Sequence, residues 1–186
     1  MKITHCLASV ALVFMLGACS GVQNQVTAVK GPVDYVNPLV GTQSKFTLST
    51  GNTYPAVALP WGMNFWTPQT GDMGYGWTYC YTDDKIKGFK QTHQPSPWIN
   101  DYGQFSIMPV TGKPEFDEDK RASWFSHKGE VALPYYYKVY LAEHDVVTEF
   151  TPTERAVLFR FTFPENENSY VVVDASVSYT HLRAHE

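Results

Sequence analysis

The 186-residue sequence has no basic run, and its 14 Lys and Arg are outnumbered by 18 Asp and Glu, for a net charge of −4. A nucleic-acid partner needs a cationic face to replace phosphate counterions, so that class of function is excluded. Charged residues are scarce at 17% while hydrophobic ones reach 44%, which excludes a disordered chain and fits a folded domain with a sizeable core. Cysteine is scarcer still, with Cys6, Cys19 and Cys80 alone. Aromatic residues are abundant, at 15%, with 12 Tyr, 11 Phe and 5 Trp. Such rings favour strands and offer flat faces to sugars, so the composition leans toward β structure.

The apolar run Cys6–Leu16 follows Lys2 and is too short to span a bilayer as a helix. It ends in Leu16-Gly17-Ala18-Cys19, the pattern of a bacterial lipobox. Residues 1–18 therefore read as a lipoprotein signal peptide, and Cys19 as the thiol that takes the lipid. Several acyl chains on one residue make an effectively permanent anchor, which places the expected protein in the cell envelope, periplasmic or at the surface. Residues 19–32 are small and polar and read as a flexible tether. With Cys6 removed and Cys19 acylated, Cys80 is left without a disulfide partner. Between Tyr79 and Tyr81, it is expected to be a small buried hydrophobe.

The stretch Val177-Ser178-Tyr179-Thr180-His181-Leu182-Arg183-Ala184-His185-Glu186 breaks the character of what precedes it. One reading frame of a transposon-end sequencing adapter yields these residues in order, so residues 177–186 are set aside as a probable translated adapter. The i, i+4 spacing of His181 and His185 is then no metal pair, and the natural chain is expected to continue past Ser176.

Residues 33–176 form the expected folded domain. Four segments, Tyr135–Leu141, Val146–Phe150, Ala156–Phe163 and Tyr170–Asp174, are rich in aromatic and β-branched residues and read as strands. Val157, Phe159, Phe161 and Phe163 share one face, with Arg160 and Thr162 on the other. Turns are expected at Glu143–Asp145, Thr151–Glu154 and Pro164–Asn168. Short strands with tight connections predict a mostly β, antiparallel β-sandwich. Residues Gly41–Pro97 carry many Gly and Pro together with Trp61, Trp66 and Trp77, and read as long loops laid over a sheet. Asp83-Asp84 and Asp117-Glu118-Asp119 lack the spacing of a ligand loop and read as solvated turns.

The segment Gly88–Phe105 holds Gln91, His93, Asn100 and Asp101 around Trp98, which is set among prolines. A sugar site needs this mixture: a ring against the C–H face of a pyranose, and planar polar groups for its hydroxyls. The candidate substrate-binding residues are His93, Trp98 and Asp101, with Trp77 as a further one. A satisfied structural histidine and a core tryptophan are the competing reading.

Val36-Asn37-Pro38-Leu39-Val40-Gly41-Thr42, Gly51-Asn52-Thr53-Tyr54-Pro55 and Leu59-Pro60-Trp61-Gly62-Met63 occur in order along the chain. Trp66–Thr70, the Gly88-Phe89 stretch, Ile107-Met108-Pro109, Ser123–His127, Tyr136–Val139, Thr148–Thr153 and Phe159–Pro164 follow. This succession of blocks resembles the N-terminal domain of glycoside hydrolase family 92. The resemblance implies a two-domain enzyme, a β-sandwich against an α/α barrel. Its activity would be that of a calcium-dependent, inverting exo-α-mannosidase on mannose-containing glycans. Inversion needs a general acid and a general base with room between them for water. The resemblance implies that both carboxylates and the calcium ligands belong to the barrel, so this chain is expected to hold no catalytic residue and to be inactive alone. Where many members carry Ser-His-Thr after Gly-Phe, this sequence has Lys90-Gln91-Thr92, and Pro95-Ser96-Pro97-Trp98 where a Ser-Gly pair follows. The alternatives are a stand-alone carbohydrate-binding surface lipoprotein and a structural one without ligand.

Overall fold

The computed structural model describes residues 30–43, 53–72, 78–92 and 105–175. The signal segment, Cys19, most of the tether and residues 177–186 lie outside the described residues. After a 3-10 turn at Pro32–Tyr35 come β1 (Phe65–Gln69), β2 (Lys85–Ile86), β3 (Gly88–Thr92) and β4 (Ser106–Thr111). A single helical turn, α1 (Glu118–Arg121), leads to β5 (Ser123–Trp124), β6 (Val131–Leu133) and β7 (Tyr136–Leu141). The last strands are β8 (Val146–Pro152), β9 (Val157–Thr162) and β10 (Ser169–Asp174).

Two four-stranded antiparallel sheets result, β1-β3-β4-β10 and β6-β7-β8-β9, with β2 and β5 forming a small third pair. Alternation decides which residues meet between the sheets. Trp66 and Phe89 point from the first sheet to Tyr137, Phe150 and Phe159 of the second. Phe89 and Phe150 rings sit 5.7 Å apart and Trp66 and Phe159 4.9 Å, in edge-on arrangements that aromatic quadrupoles favour. With Met108, Val110, Val139, Leu141 and Val172 they make one core. Each such side chain removed from water contributes about 1.5–3 kcal/mol.

The four strands expected late in the chain are β7 to β10, and β9 alternates half-buried and exposed residues with Val157, Phe159 and Phe161 inward. The turn expected at Thr151–Glu154 is shorter, because Thr151 and Pro152 still pair with Leu158 and Val157. The larger correction concerns Gly41–Pro97. This region is not only loops: β1 and β3 supply half of the first sheet. Pro68 is tolerated because the peptide groups of even-numbered residues in β1 face its outer edge, where Trp66 bridges Val57 in an isolated pair rather than a continuous ladder. Pro109 is tolerated in β4 for a related reason. Its nitrogen faces the side where the β3 ladder has ended, β3 pairing only with Ser106 and Ile107.

The reverse face of the first sheet is polar but shielded. Thr67, Gln69, Lys90 and Ser106 are all buried there. Such a layer breaks the apolar–polar alternation that marks a half-buried strand, which is why β1 and β3 do not read as strands. Gly88 belongs to this layer: a Cβ there would stand 2.0 Å from the Ser106 hydroxyl.

Candidate functional site

His93, Trp98, Asp101 and Trp77 all lie outside the described residues. The structure does describe the roots of the two loops that carry them. The first loop leaves from Thr92 and returns at Phe105. Gln91 N–H donates to the Phe105 carbonyl at 3.1 Å, and Phe105 packs edge-on against Trp66. The Tyr54 hydroxyl donates to Thr92 Oγ1 at 3.1 Å, and burial pushes that phenol up to about 12. Asn64 braces the same end: its Oδ1 accepts from Trp66 Nε1 at 2.9 Å and its amide donates to the Ala156 carbonyl at 2.7 Å.

The second loop leaves from Asp72 and returns at Thr78. Thr70 N–H donates to the Thr78 carbonyl at 2.8 Å, and the Thr70 hydroxyl donates to Asp83 Oδ2 at 2.6 Å. Asp83 is thus a loop tie rather than a free surface acid. Cys80 is half-exposed, a correction to its expected burial; its N–H donates to Thr70 Oγ1. Its thiol lies 3.2 Å from Thr82 Oγ1. Because Phe65 pairs with Thr92 and Gln69 with Gly88, the two roots sit at opposite ends of the β1–β3 pair. At about 3.3 Å per residue they are separated by roughly 13 Å.

A buried carboxylate holds the segment that follows Trp77. Glu130 has a fully buried side chain and accepts from the Tyr137 hydroxyl at 2.5 Å and the Tyr79 hydroxyl at 3.1 Å. His127 Nδ1 lies 2.6 Å from its other oxygen, and His127 Nε2 lies 2.7 Å from the Tyr81 carbonyl. The imidazole also stacks on the Tyr81 ring at 4.0 Å. Both ring nitrogens therefore face acceptors. Burial, and then Glu130, pushes the Tyr79 and Tyr137 phenols well up, so both remain donors.

The run Asp117-Glu118-Asp119 is also more than the expected solvated turn. Asp117 caps α1 by accepting from the N–H groups of Asp119 and Lys120. Asp119 and Asp72 both pair with Lys87 Nζ. Glu118 accepts from Gln69 Nε2 at 3.3 Å and acts on Lys90, a residue only 1% exposed whose amine is held below the usual lysine range by burial. Among the described residues no group of three or more His, Cys, Asp or Glu could hold a metal ion.

Sequence reasoning missed Trp61. It stands at the tip of the Leu59–Met63 turn, 99% exposed, with a left-handed φ of 62°. A bulky side chain rarely adopts that backbone region.

These features define a class of protein: an antiparallel β-sandwich whose two main sheets pack about one aromatic-rich core. The sequence profile of the glycosyl hydrolase family 92 N-terminal domain matches residues 35–185, and the chain belongs to that family. A family GH92 inverting mannosidase from Bacteroides thetaiotaomicron VPI-5482 is 54% identical, with a TM-score of 0.71 over 78% of this chain and 20% of that one. A GH92 α-mannosidase from the same species is 36% identical, with a TM-score of 0.68 over 77% and 20%. An uncharacterised secreted glycosidase of Arthroderma benhamiae is 28% identical over 140 residues, 71% of this chain and 17% of that protein. The chain thus spans about a fifth of the solved relatives it matches.

Proposed function

We propose that this chain is the N-terminal, non-catalytic part of an inverting exo-α-mannosidase that removes mannose from glycans outside the cytoplasm. The observation that carries the reading is the 54% identity to an inverting mannosidase, at a TM-score of 0.71, over 78% of this chain. The general acid, the general base and the calcium ligands belong, in this reading, to a C-terminal barrel beyond the chain. Calcium would there organise the water and the sugar hydroxyls. The part played by this domain is to bind and orient, with His93, Trp98, Asp101 and Trp77 as the residues that approach the glycan. Cys19 carries a lipid that holds the enzyme at the cell envelope.

Two measurements test the proposal. Incubated with an aryl α-mannoside and calcium, the chain alone is expected to release no phenol; release at a rate above the uncatalysed one contradicts it. Sequencing the source gene through codon 176 is expected to reveal several hundred further codons of helical pattern. A stop codon within a strand or two refutes the enzyme reading and leaves a sugar-binding lipoprotein.

A further inference from the structure

His127 and His144 present their rings to different partners, and the difference decides which protons each can carry. His144 Nδ1 accepts from the Thr111 N–H at 3.4 Å, and its Nε2 lies 2.8 Å from the Arg121 carbonyl. One nitrogen accepts and the other donates, which a neutral imidazole satisfies. His127 instead meets acceptors on both sides: Glu130 Oε2 lies 2.6 Å from its Nδ1, and the Tyr81 carbonyl 2.7 Å from its Nε2. A neutral ring donates to one of them and turns a lone pair toward the other. Only a ring protonated on both nitrogens makes both contacts.

The surroundings hold the acceptor in its charged form. The Glu130 side chain is fully buried, and among the described residues His127 is the only basic group paired with it. The hydroxyls of Tyr79 and Tyr137 donate to Glu130 Oε1, and donors of this kind favour the carboxylate over the acid. The proton between the two residues therefore sits on the imidazole. Its loss would leave a buried carboxylate without a counter-charge and set a bare Nε2 against a carbonyl oxygen, both costly in a dry interior. Among the described residues, the other titratable groups about the pair are Tyr81, whose ring stacks on the imidazole at 4.0 Å, and Asp83, which acts on Tyr79. The Phe125 ring lies edge-on at 5.0 Å. Every one of these partners belongs to the domain itself, so the contacts do not depend on what packs against its surface.

We infer that His127 and Glu130 form a pH-sensitive clasp, an imidazolium–carboxylate pair that folds with one proton bound and fastens the Tyr79–Tyr81 segment through the Tyr81 carbonyl. When the proton leaves, that carbonyl loses its donor. The segment then keeps only its other ties, the Tyr81 N–H to the Thr42 carbonyl at 3.1 Å and the Cys80 N–H to Thr70 among them. A histidine in the unfolded chain is protonated only below about pH 6.5. Below that point folded and unfolded chains carry the same proton, and the clasp adds no pH dependence. Above it the folded chain holds one proton more, so stability falls as pH rises.

Urea unfolding of the 186-residue chain from about pH 6 to 8.5, with nitrogen–proton NMR of the histidine rings, tests the clasp. One extra bound proton raises the unfolding constant about tenfold per pH unit. Wild type is therefore expected to show a constant roughly tenfold larger at pH 8 than at pH 7. His127→Gln, which cannot ionise, is expected to change by less than about twofold over the same interval. Equal pH slopes in the two proteins overturn the inference. The spectra need only the wild type, with the His127 ring assigned through its contact with the Tyr81 ring. At about pH 7.5 His127 is expected to carry protons on both nitrogens, and His144 on Nε2 alone. A bare nitrogen on His127 overturns the inference, as does a His127 ring without contact to Tyr81.

Discussion

Replacing Glu130 by Gln keeps the shape of the side chain and removes its charge, so it isolates what the buried carboxylate contributes. Three donors converge on it: the hydroxyls of Tyr79 and Tyr137 and the Nδ1 of His127. A hydrogen bond to a charged group is worth about 1.5–3 kcal/mol net, whereas a neutral one is worth nearer 1. Gln can still accept with its oxygen, but its amide nitrogen presents hydrogens to a donor, so one of the three contacts becomes repulsive. The expected loss is about 2–4 kcal/mol, a large share of the 5–15 kcal/mol typical of a whole domain. In urea, with a slope of about 2 kcal/mol/M, the midpoint falls by about 1–2 M at unchanged slope. Tyr137→Phe, which removes one donor and leaves the charge, loses roughly half as much. A Glu130→Gln midpoint within about 0.2 M of wild type would show that the network is ornamental and refute the reasoning.

Other expectations follow from the same contacts. Arg121 is fully buried and donates to the Lys87 and Phe116 carbonyls and to Asp174 on β10; Arg121→Met strands all three and costs about 3–5 kcal/mol, measured by denaturant unfolding. Gly88→Ala drives a methyl onto the Ser106 hydroxyl and costs about 1–3 kcal/mol, with Gly88→Ala/Ser106→Gly regaining most of it. The hydrogen bonds from Arg160, then from Tyr136, hold the Glu149 carboxyl down at about 2. A depressed carboxylate stabilises above its unfolded value and loses that contribution as pH falls through its folded one. Melting of the wild type should therefore drop between about pH 4.5 and 2, and Glu149→Gln should flatten that part of the profile.

How far the sequence was readable depended on which faces of a strand are wet. In β9, Phe159 and Phe161 alternate with Arg160 and Thr162, so its inner face could be named in advance. In β1 and β3, Thr67, Gln69 and Lys90 are polar yet buried, because a second layer of chain covers them. Nothing in local periodicity announces a cover supplied by Tyr54 and Glu118, distant in sequence. Pro68 deepened the concealment, since its harmlessness depends on lying at an outer edge. Asp117–Asp119 looked like bare charge because the Lys87 that pairs with Asp119 lies 32 residues away. For the candidate site, composition singled out the 93–104 loop but passed over Trp61, whose full exposure and left-handed backbone belong to the folded turn alone.

The most direct test of the central claim is proton NMR of mannoside hydrolysis by the product of the uninterrupted gene, followed from the first minutes in the presence of calcium. Inversion at an α-linkage predicts that the β-anomer of mannose appears first and then equilibrates, while the 186-residue chain produces neither anomer. First appearance of the α-anomer, or no mannose from the longer product, contradicts the account.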